Sequence, residues 1–293
     1  MTPPQKKLHL AVIGLGLIGG SFALALRRAG YVRHISGFDT DAEQAQQAVE
    51  LGVIDQACTD IAATVAEADL IFVAVPVGAI RQVFSEINGH LLPTALVMDA
   101  GSTKGSVIAD FYVACADHIH QFIPAHPIAG KETSGVAAAS ADLYKNRTVI
   151  LTPTGQQTNV ILQCAQAAWQ ACGALIEHMQ AEQHDAILAT TSHLPHLLAF
   201  NLMQVLHEQH HQTELQACAG SGLRDFSRIA GSDPVMWRDI ALANQKALCT
   251  SLRTYINGLE QLATELDAGD GPALHQRFTQ AQNLHSQLNL SCC

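Results

Sequence analysis

The chain has little positive charge. Its 16 lysines and arginines face 26 aspartates and glutamates, giving a formal net charge of −10, and no basic run breaks that balance. Such a surface repels phosphate backbones, which argues against a nucleic-acid-binding protein. Also missing is any C-x-x-C pair: Cys58, Cys115, Cys164, Cys172, Cys218 and Cys249 are scattered, mostly among alanines and leucines. Structural zinc and dithiol redox chemistry are left without ligands, and the simplest account is reduced thiols in a cytoplasmic protein. The adjacent Cys292 and Cys293 lie in a terminal tail. Beyond Arg28 no apolar run reaches membrane-spanning length. Charged residues make up 14% and hydrophobic residues 48% of the 293 positions, a composition suited to a compact fold with room for two cores.

What is present begins at Leu8. The stretch LHLAVIGLGLIGGSFALALRR opens on an apolar run, as expected of a strand buried on both faces. Gly14, Gly16 and Gly19 follow in the order G-x-G-x-x-G, and Phe22, Leu24 and Leu26 continue without a breaker. In such a turn the first glycine allows the tight bend and the second admits a pyrophosphate. The third lets the helix pack closely on the strand. The helix would aim its free N–H groups at the phosphates. A signal peptide or membrane span behind Lys6 and Lys7 is the rival reading, and the glycines and the histidine within the run speak against it. The next apolar segment, HISGF, ends at Asp39, where a carboxylate would accept from an adenosine ribose. The expected cofactor is therefore NAD, contacted by Gly14, Leu15, Gly16, Leu17, Ile18, Gly19 and Asp39, with Val75 and Pro76 beside it. No arginine follows Asp39 to receive a 2′-phosphate.

Strand and helix patterns alternate from there. DAEQAQQAVELG and 61–68 read as helices, 70–75 as a strand, 79–87 as a helix, and ALVMDAGSTKG as a strand with a polar turn. VILTPT and ALIEHM read as the last strands, with a helix over 160–172 between them. The class this implies is a Rossmann-type doubly wound α/β fold with a mainly parallel sheet. Beyond Met179 only helical stretches remain, notably 182–206 and 236–266. The expected division is a nucleotide-binding domain over 1–178 and an all-helical domain over 179–293.

Ligands in such sheets bind where strands end, so the turns carry the chemistry. Ser102 and Lys104 leave the strand ending at Asp99, and His126 follows a short apolar strand in FIPAHPIAGKETSG. A histidine titrates near neutrality, which suits it to take a hydroxyl proton while the adjacent carbon gives up hydride. His193 and His196 share a metal-like spacing, but no third ligand is evident and no metal is expected. His207, His210 and His211 read as a solvated loop, and Trp237 as a packing residue near the site.

GLGLIGGS, DAGSTKG, HPIAGKETSG, TSHLPH and GLRDFSRIAGSDPVMWRDI together resemble the prephenate/arogenate dehydrogenase family of tyrosine biosynthesis, over nearly the whole chain. The resemblance implies NAD-dependent oxidative decarboxylation of a cyclohexadienol and a homodimer built on the C-terminal helices. It implies that His126 accepts the substrate hydroxyl proton, that Ser102 holds the hydroxyl or the imidazole in line, and that Lys104 assists. It assigns Arg228 to a substrate carboxylate, brings His196, Lys131 and Glu132 to the substrate side chain, and pairs Arg224 with Asp185. None of Lys131, His196 and Arg228 is a carboxylate, so prephenate is the expected substrate and arogenate the second candidate. Neither a mutase ahead of Leu8 nor a regulatory domain after the last helices is expected, so feedback by tyrosine is expected to act at the active site. Two alternatives remain: a β-hydroxyacid or imine-reducing dehydrogenase of similar build, and a dinucleotide-binding sensor without turnover.

Overall fold

Alternation of burial along each strand explains the apolar runs. In the computed structural model, which describes residues 7–209, 215 and 217–288, β1 (Leu8–Ile13) sends Leu10 and Val12 into one core and Ala11 and Ile13 into another. Strand β4 (Leu70–Val73) does the same with Leu70 and Phe72 against Ile71 and Val73. A strand covered by helices on both faces cannot alternate polar and apolar residues, so it reads as one hydrophobic block. Phe22, Phe72, Tyr144 and Trp169 cluster on one face of the sheet. Phe84, Phe111 and Phe122 cluster on the other. His210, His211, Cys292 and Cys293 lie outside the described residues.

Helix α1 (Leu17–Arg28) carries the chain to β2 (Val32–Phe38), α2 (Ala42–Glu50), β3 (Gln56–Ala57) and α3 (Ile61–Val65). After β4 come α4 (Val77–Ile87), β5 (Leu96–Asp99), α5 (Gly105–Ala114) and β6 (Phe122–Ile123). These strands form one parallel sheet in the order β3-β2-β1-β4-β5-β6. The order reverses between β1 and β4, which opens the crevice where doubly wound sheets bind ligands.

Pro124 then takes the chain out of this sheet. β7 (Ala125–Pro127) pairs antiparallel with β8 (Thr148–Leu151), and after α6 (Asn159–Ala171) β9 (Leu175–His178) joins β8 in parallel. His126 therefore sits within β7, paired with Ile150, and not in a turn after a strand as its sequence context suggests. Among the described residues no strand follows His178.

Helix α7 (Ala181–Leu188) passes through a π-helical turn, Ala189–His193, into α8 (Leu194–His207). Such turns widen the helix by one residue and recur at functional sites. Further on lie α9 (Ser221–Ser227) and α10 (Pro234–Ala243), which packs Trp237 and Ile240 on Val77. The stretch expected as one helix over 236–266 breaks at Asn244, after which α11 runs Gln245–Asp267. The side chain of Asn244 is turned inward to hydrogen-bond polar groups, so the break has a purpose that helix periodicity does not reveal. Among the described residues, those up to Gln245 form one compact unit and those from Lys246 a second, made of α11 beyond its first residue and α12 (Gly271–Gln287). Within the second unit, Arg277 braces the two helices through paired bonds to Glu265 of 2.6 and 2.9 Å. No helix among the described residues is long and apolar enough to cross a membrane.

Candidate active site

The glycine turn has the shape a dinucleotide requires. Gly14 adopts φ +93°, and a Cβ there would collide with the carbonyl of Ala74. A Cβ on Gly19 would strike the carbonyl of Gly14, whereas one on Gly16 would meet nothing within 4 Å. The face at Gly16 is open, which leaves room for a ligand phosphate to come close to the main chain. α1 starts there with no side-chain cap and no acidic residue in its first turn, so its N–H groups stay available to an anion. Leu15 N–H donates to Asp39 at 2.7 Å, tying the turn to the end of β2. A cavity of about 380 Å³ opens beside it, lined by Gly14, Gly16, Asp39, Val75 and Pro76 among others. Gln82 and Glu86 of α4, linked to each other at 2.9 Å, complete its wall. Leu17 and Ile18 form the first turn of α1. These residues fit a bound dinucleotide.

Next to this crevice, a buried ion pair locks the ends of two strands together. Asp99, at the end of β5, accepts from Gly101 N–H at 2.7 Å and Ala125 N–H at 3.0 Å. The ammonium of Lys104 donates to Asp99 and to the carbonyl of Ala125. Lys104 has no exposed surface, and burial pulls its pKa below the ordinary lysine value while Asp99 opposes the shift. Lys104, expected to assist with substrate or cofactor, is placed within this buried pair. Its charge is consumed in fixing β7 to β5, and with it the register of His126.

His126 continues inward to a second histidine. Its Nδ1 lies 2.8 Å from Nε2 of His184, on α7, and Nδ1 of His184 lies 2.8 Å from Asp185. Asp185 in turn accepts the main-chain N–H groups of Lys104 and Gly105, each at 2.8 Å, which caps the start of α5. Burial first, then the charges of His184, Lys104 and His193, holds His126 well below the usual histidine pKa. That shift favours the neutral ring, the form with a lone pair available to a proton. Asn244 donates to the Asp185 carbonyl at 2.8 Å and contacts Nδ1 of His193 at 3.1 Å. His193 is buried, and burial drives its pKa to about 4. The pairing of Arg224 with Asp185 is overturned: the carboxylate is engaged by His184 and α5, and Arg224 is exposed.

The third part of the site comes from the helical stretch. His196 stacks on Trp237 with ring centroids 3.6 Å apart, and its Nδ1 bonds the Ser192 carbonyl at 2.9 Å. Burial lowers its pKa, and the positive charge of Arg228 adds to that shift. Arg228 pairs with Glu132 at 2.8 Å, both side chains being exposed. This pair joins the loop after β7 to the helical stretch. Exposed Lys131 donates to the Ala138 carbonyl at 3.2 Å, and Gln44 anchors the same loop by accepting from Val136 N–H at 3.0 Å. Ser102, half-buried, follows β5 with its main chain beside His193. No group of three or more metal-ligating side chains forms among the described residues.

Residues 22–178 match the family described as "Prephenate dehydrogenase, nucleotide-binding domain", and residues 180–280 match "Prephenate dehydrogenase, dimerization domain". The chain belongs to the prephenate dehydrogenase family. It is 35% identical to a cyclohexadienyl dehydrogenase of Zymomonas mobilis over 94% of each chain. Among solved structures it resembles a prephenate dehydrogenase of A. aeolicus in complex with hydroxyphenyl propionate and NAD+. That likeness has a TM-score of 0.91 at 32% identity and covers 97% of this chain and 99% of the other. A Synechocystis arogenate dehydrogenase gives 0.81 at 31% identity, covering 96% and 99%. Against that family background, four residues of the site carry no motif of their own: His184, Asn244, Gln82 and Glu86. His184 stands in the dipeptide His184-Asp185, the one sequence hint available, but its partner lies 58 residues away.

Proposed function

We propose that this chain is an NAD-dependent prephenate dehydrogenase, oxidising and decarboxylating prephenate to 4-hydroxyphenylpyruvate in the route to tyrosine. The observation that carries the reading is His126, held in β7 by the ties of Lys104 and Asp99 to Ala125 and backed by His184, in a chain that also forms the open glycine turn of a nucleotide site. NAD held at the glycine turn and Asp39 would supply the hydride acceptor for the ring carbon that bears the hydroxyl. His126 takes the hydroxyl proton, converting that carbon to a carbonyl. The carbon–carbon bond to the ring carboxylate then breaks, its electron pair enters the ring and the carbonyl pair moves onto oxygen, carbon dioxide leaves as the ring becomes aromatic, and the phenolate oxygen takes the proton back from His126 to give the phenol. Ser102 holds the hydroxyl in line, which orients the reacting atoms before the transfer.

Arg228 binds a substrate carboxylate through its planar fork, and the incoming anion replaces Glu132 as its partner. His196, held flat against Trp237, lines the side-chain pocket, with Lys131 and Glu132 at its entrance. The substrate domain begins at Met179, and the cytoplasm is its place of work, consistent with unpaired thiols among the described cysteines. Support for a homodimer comes from apolar side chains left exposed on the second unit, including Ile256, Leu259, Phe278 and Leu284.

Steady-state assays with NAD and either prephenate or arogenate, following absorbance of the reduced cofactor, test the reading. Prephenate turnover is expected, and His126→Asn should reduce kcat by about two to four decades with NAD affinity unchanged. Turnover of arogenate alone would show the pocket to be misread. A fully active Asn variant would move the base elsewhere.

A further inference from the structure

The contact between His126 and His184 has a polarity, and the groups behind it decide which way it runs. Two imidazole nitrogens 2.8 Å apart cannot both donate or both accept, so one carries the proton and the other presents its lone pair. The direction is set from Asp185. That carboxylate receives two main-chain N–H groups at the start of α5, where the helix dipole favours negative charge. Although burial works against ionisation, the bonds from His184 and from the Lys104 and Gly105 main chain hold the carboxyl below its ordinary pKa. An ionised carboxylate only accepts, so Nδ1 of His184 carries a proton. His184 is fully buried, beside the Lys104 ammonium, with Asp99 and Asp185 the nearby acids. Burial keeps its ring neutral, which leaves a lone pair on Nε2.

We infer that His184 is a positioning residue that holds His126 in the Nδ1–H tautomer, leaving Nε2 of His126 as the lone pair that receives the substrate proton. The inference rests on His126 being the base, but the tautomer itself is fixed by the Asp185–His184 geometry. In the reversed arrangement His126 would carry its proton on Nε2 and could not act as acceptor there. That arrangement needs either a protonated Asp185, stripped of its role at the start of α5, or a doubly protonated, cationic His184 buried against an ammonium. As Nε2 of His126 takes up a proton, the Nδ1–H bond to His184 becomes charge-assisted, so the pair also stabilises the imidazolium that forms. The two histidines, Lys104, Asp99, Asp185 and His193 are the titratable groups around this bond.

The test reads the tautomer directly. Enzyme labelled with 15N-histidine, recorded near neutral pH by long-range proton–nitrogen correlation and assigned with His126→Asn, should show His126 protonated at Nδ1 with a pyridine-type Nε2. His126 found as the Nε2–H tautomer would overturn the inference whatever the kinetics show. Two variants extend the test. His184→Gln can still present an acceptor to His126 and should keep kcat within about tenfold, with the tautomer retained. His184→Asn keeps a link toward Asp185 but falls short of His126, and should lose about 100-fold in kcat with KM nearly unchanged. Equal activity of the Asn variant and the wild type would also overturn it. Failure of the base reading is distinguishable, because an active His126→Asn enzyme would leave the wild-type tautomer spectrum as it is.

Discussion

Replacing Lys104 by methionine separates a structural lysine from a catalytic one. The side chain is fully buried and its ammonium serves Asp99 and the Ala125 carbonyl. Methionine matches the stem but leaves the carboxylate of Asp99 in the interior without a counter-charge. Removing one partner of a buried pair costs about 3–5 kcal/mol. Asp99 keeps the N–H groups of Gly101 and Ala125, which puts the expected loss near the lower end, about 3 kcal/mol. The stranded Ala125 carbonyl adds about 1 kcal/mol, for a total of roughly 4. Urea unfolding of Lys104→Met against wild type measures this directly. Adding Asp99→Asn removes the buried charge and should recover part of the loss. In the folded fraction, removal of a positive charge near His126 should move the acid limb of kcat/KM to higher pH, since that charge helps burial to keep the ring neutral. A variant with wild-type stability but a thousandfold loss in kcat would refute the reasoning and return Lys104 to the chemistry.

Three further outcomes follow from other parts of the molecule. His193 has a folded pKa of about 4, lowered chiefly by burial, against 6.5 for a free side chain. The unfolded chain therefore binds its proton first, and stability that is complete above pH 6.5 should fall by on the order of 3 kcal/mol as pH drops toward 4; an unfolding midpoint flat across this window would contradict the burial. Asp39 follows β2 and lines the cavity, so catalytic efficiency with NADP should be at least about tenfold below that with NAD, roughly 1.4 kcal/mol, and equal efficiencies would remove Asp39 as the discriminating group. Leu259 is 48% exposed on the second unit, and Leu259→Glu should shift the enzyme from dimer to monomer by light scattering, whereas an unchanged mass would place the interface on another face.

The sequence by itself determined the elements whose signals are local. A G-x-G-x-x-G turn between an apolar run and a helix, followed by Asp39, specifies a nucleotide site, because each glycine answers a steric demand of its immediate neighbours. The parallel sheet was legible for the same reason: strands buried on both faces read as unbroken apolar blocks. His126, Ser102 and Arg228 were visible through motifs, and Trp237 through its place in one of them. What only the tertiary structure decided were the pairings between distant segments. Lys104 looks like a reactive group in a polar turn, yet Asp99 and Ala125 enclose it. Asp185 looks available to an arginine, yet it caps α5 and orients His184. Asn244 sits inside an apparently continuous helical pattern, yet breaks it to satisfy the Asp185 carbonyl. Periodicity reports which face of an element is buried. It carries no record of which polar group 58 positions away will complete a hydrogen bond there.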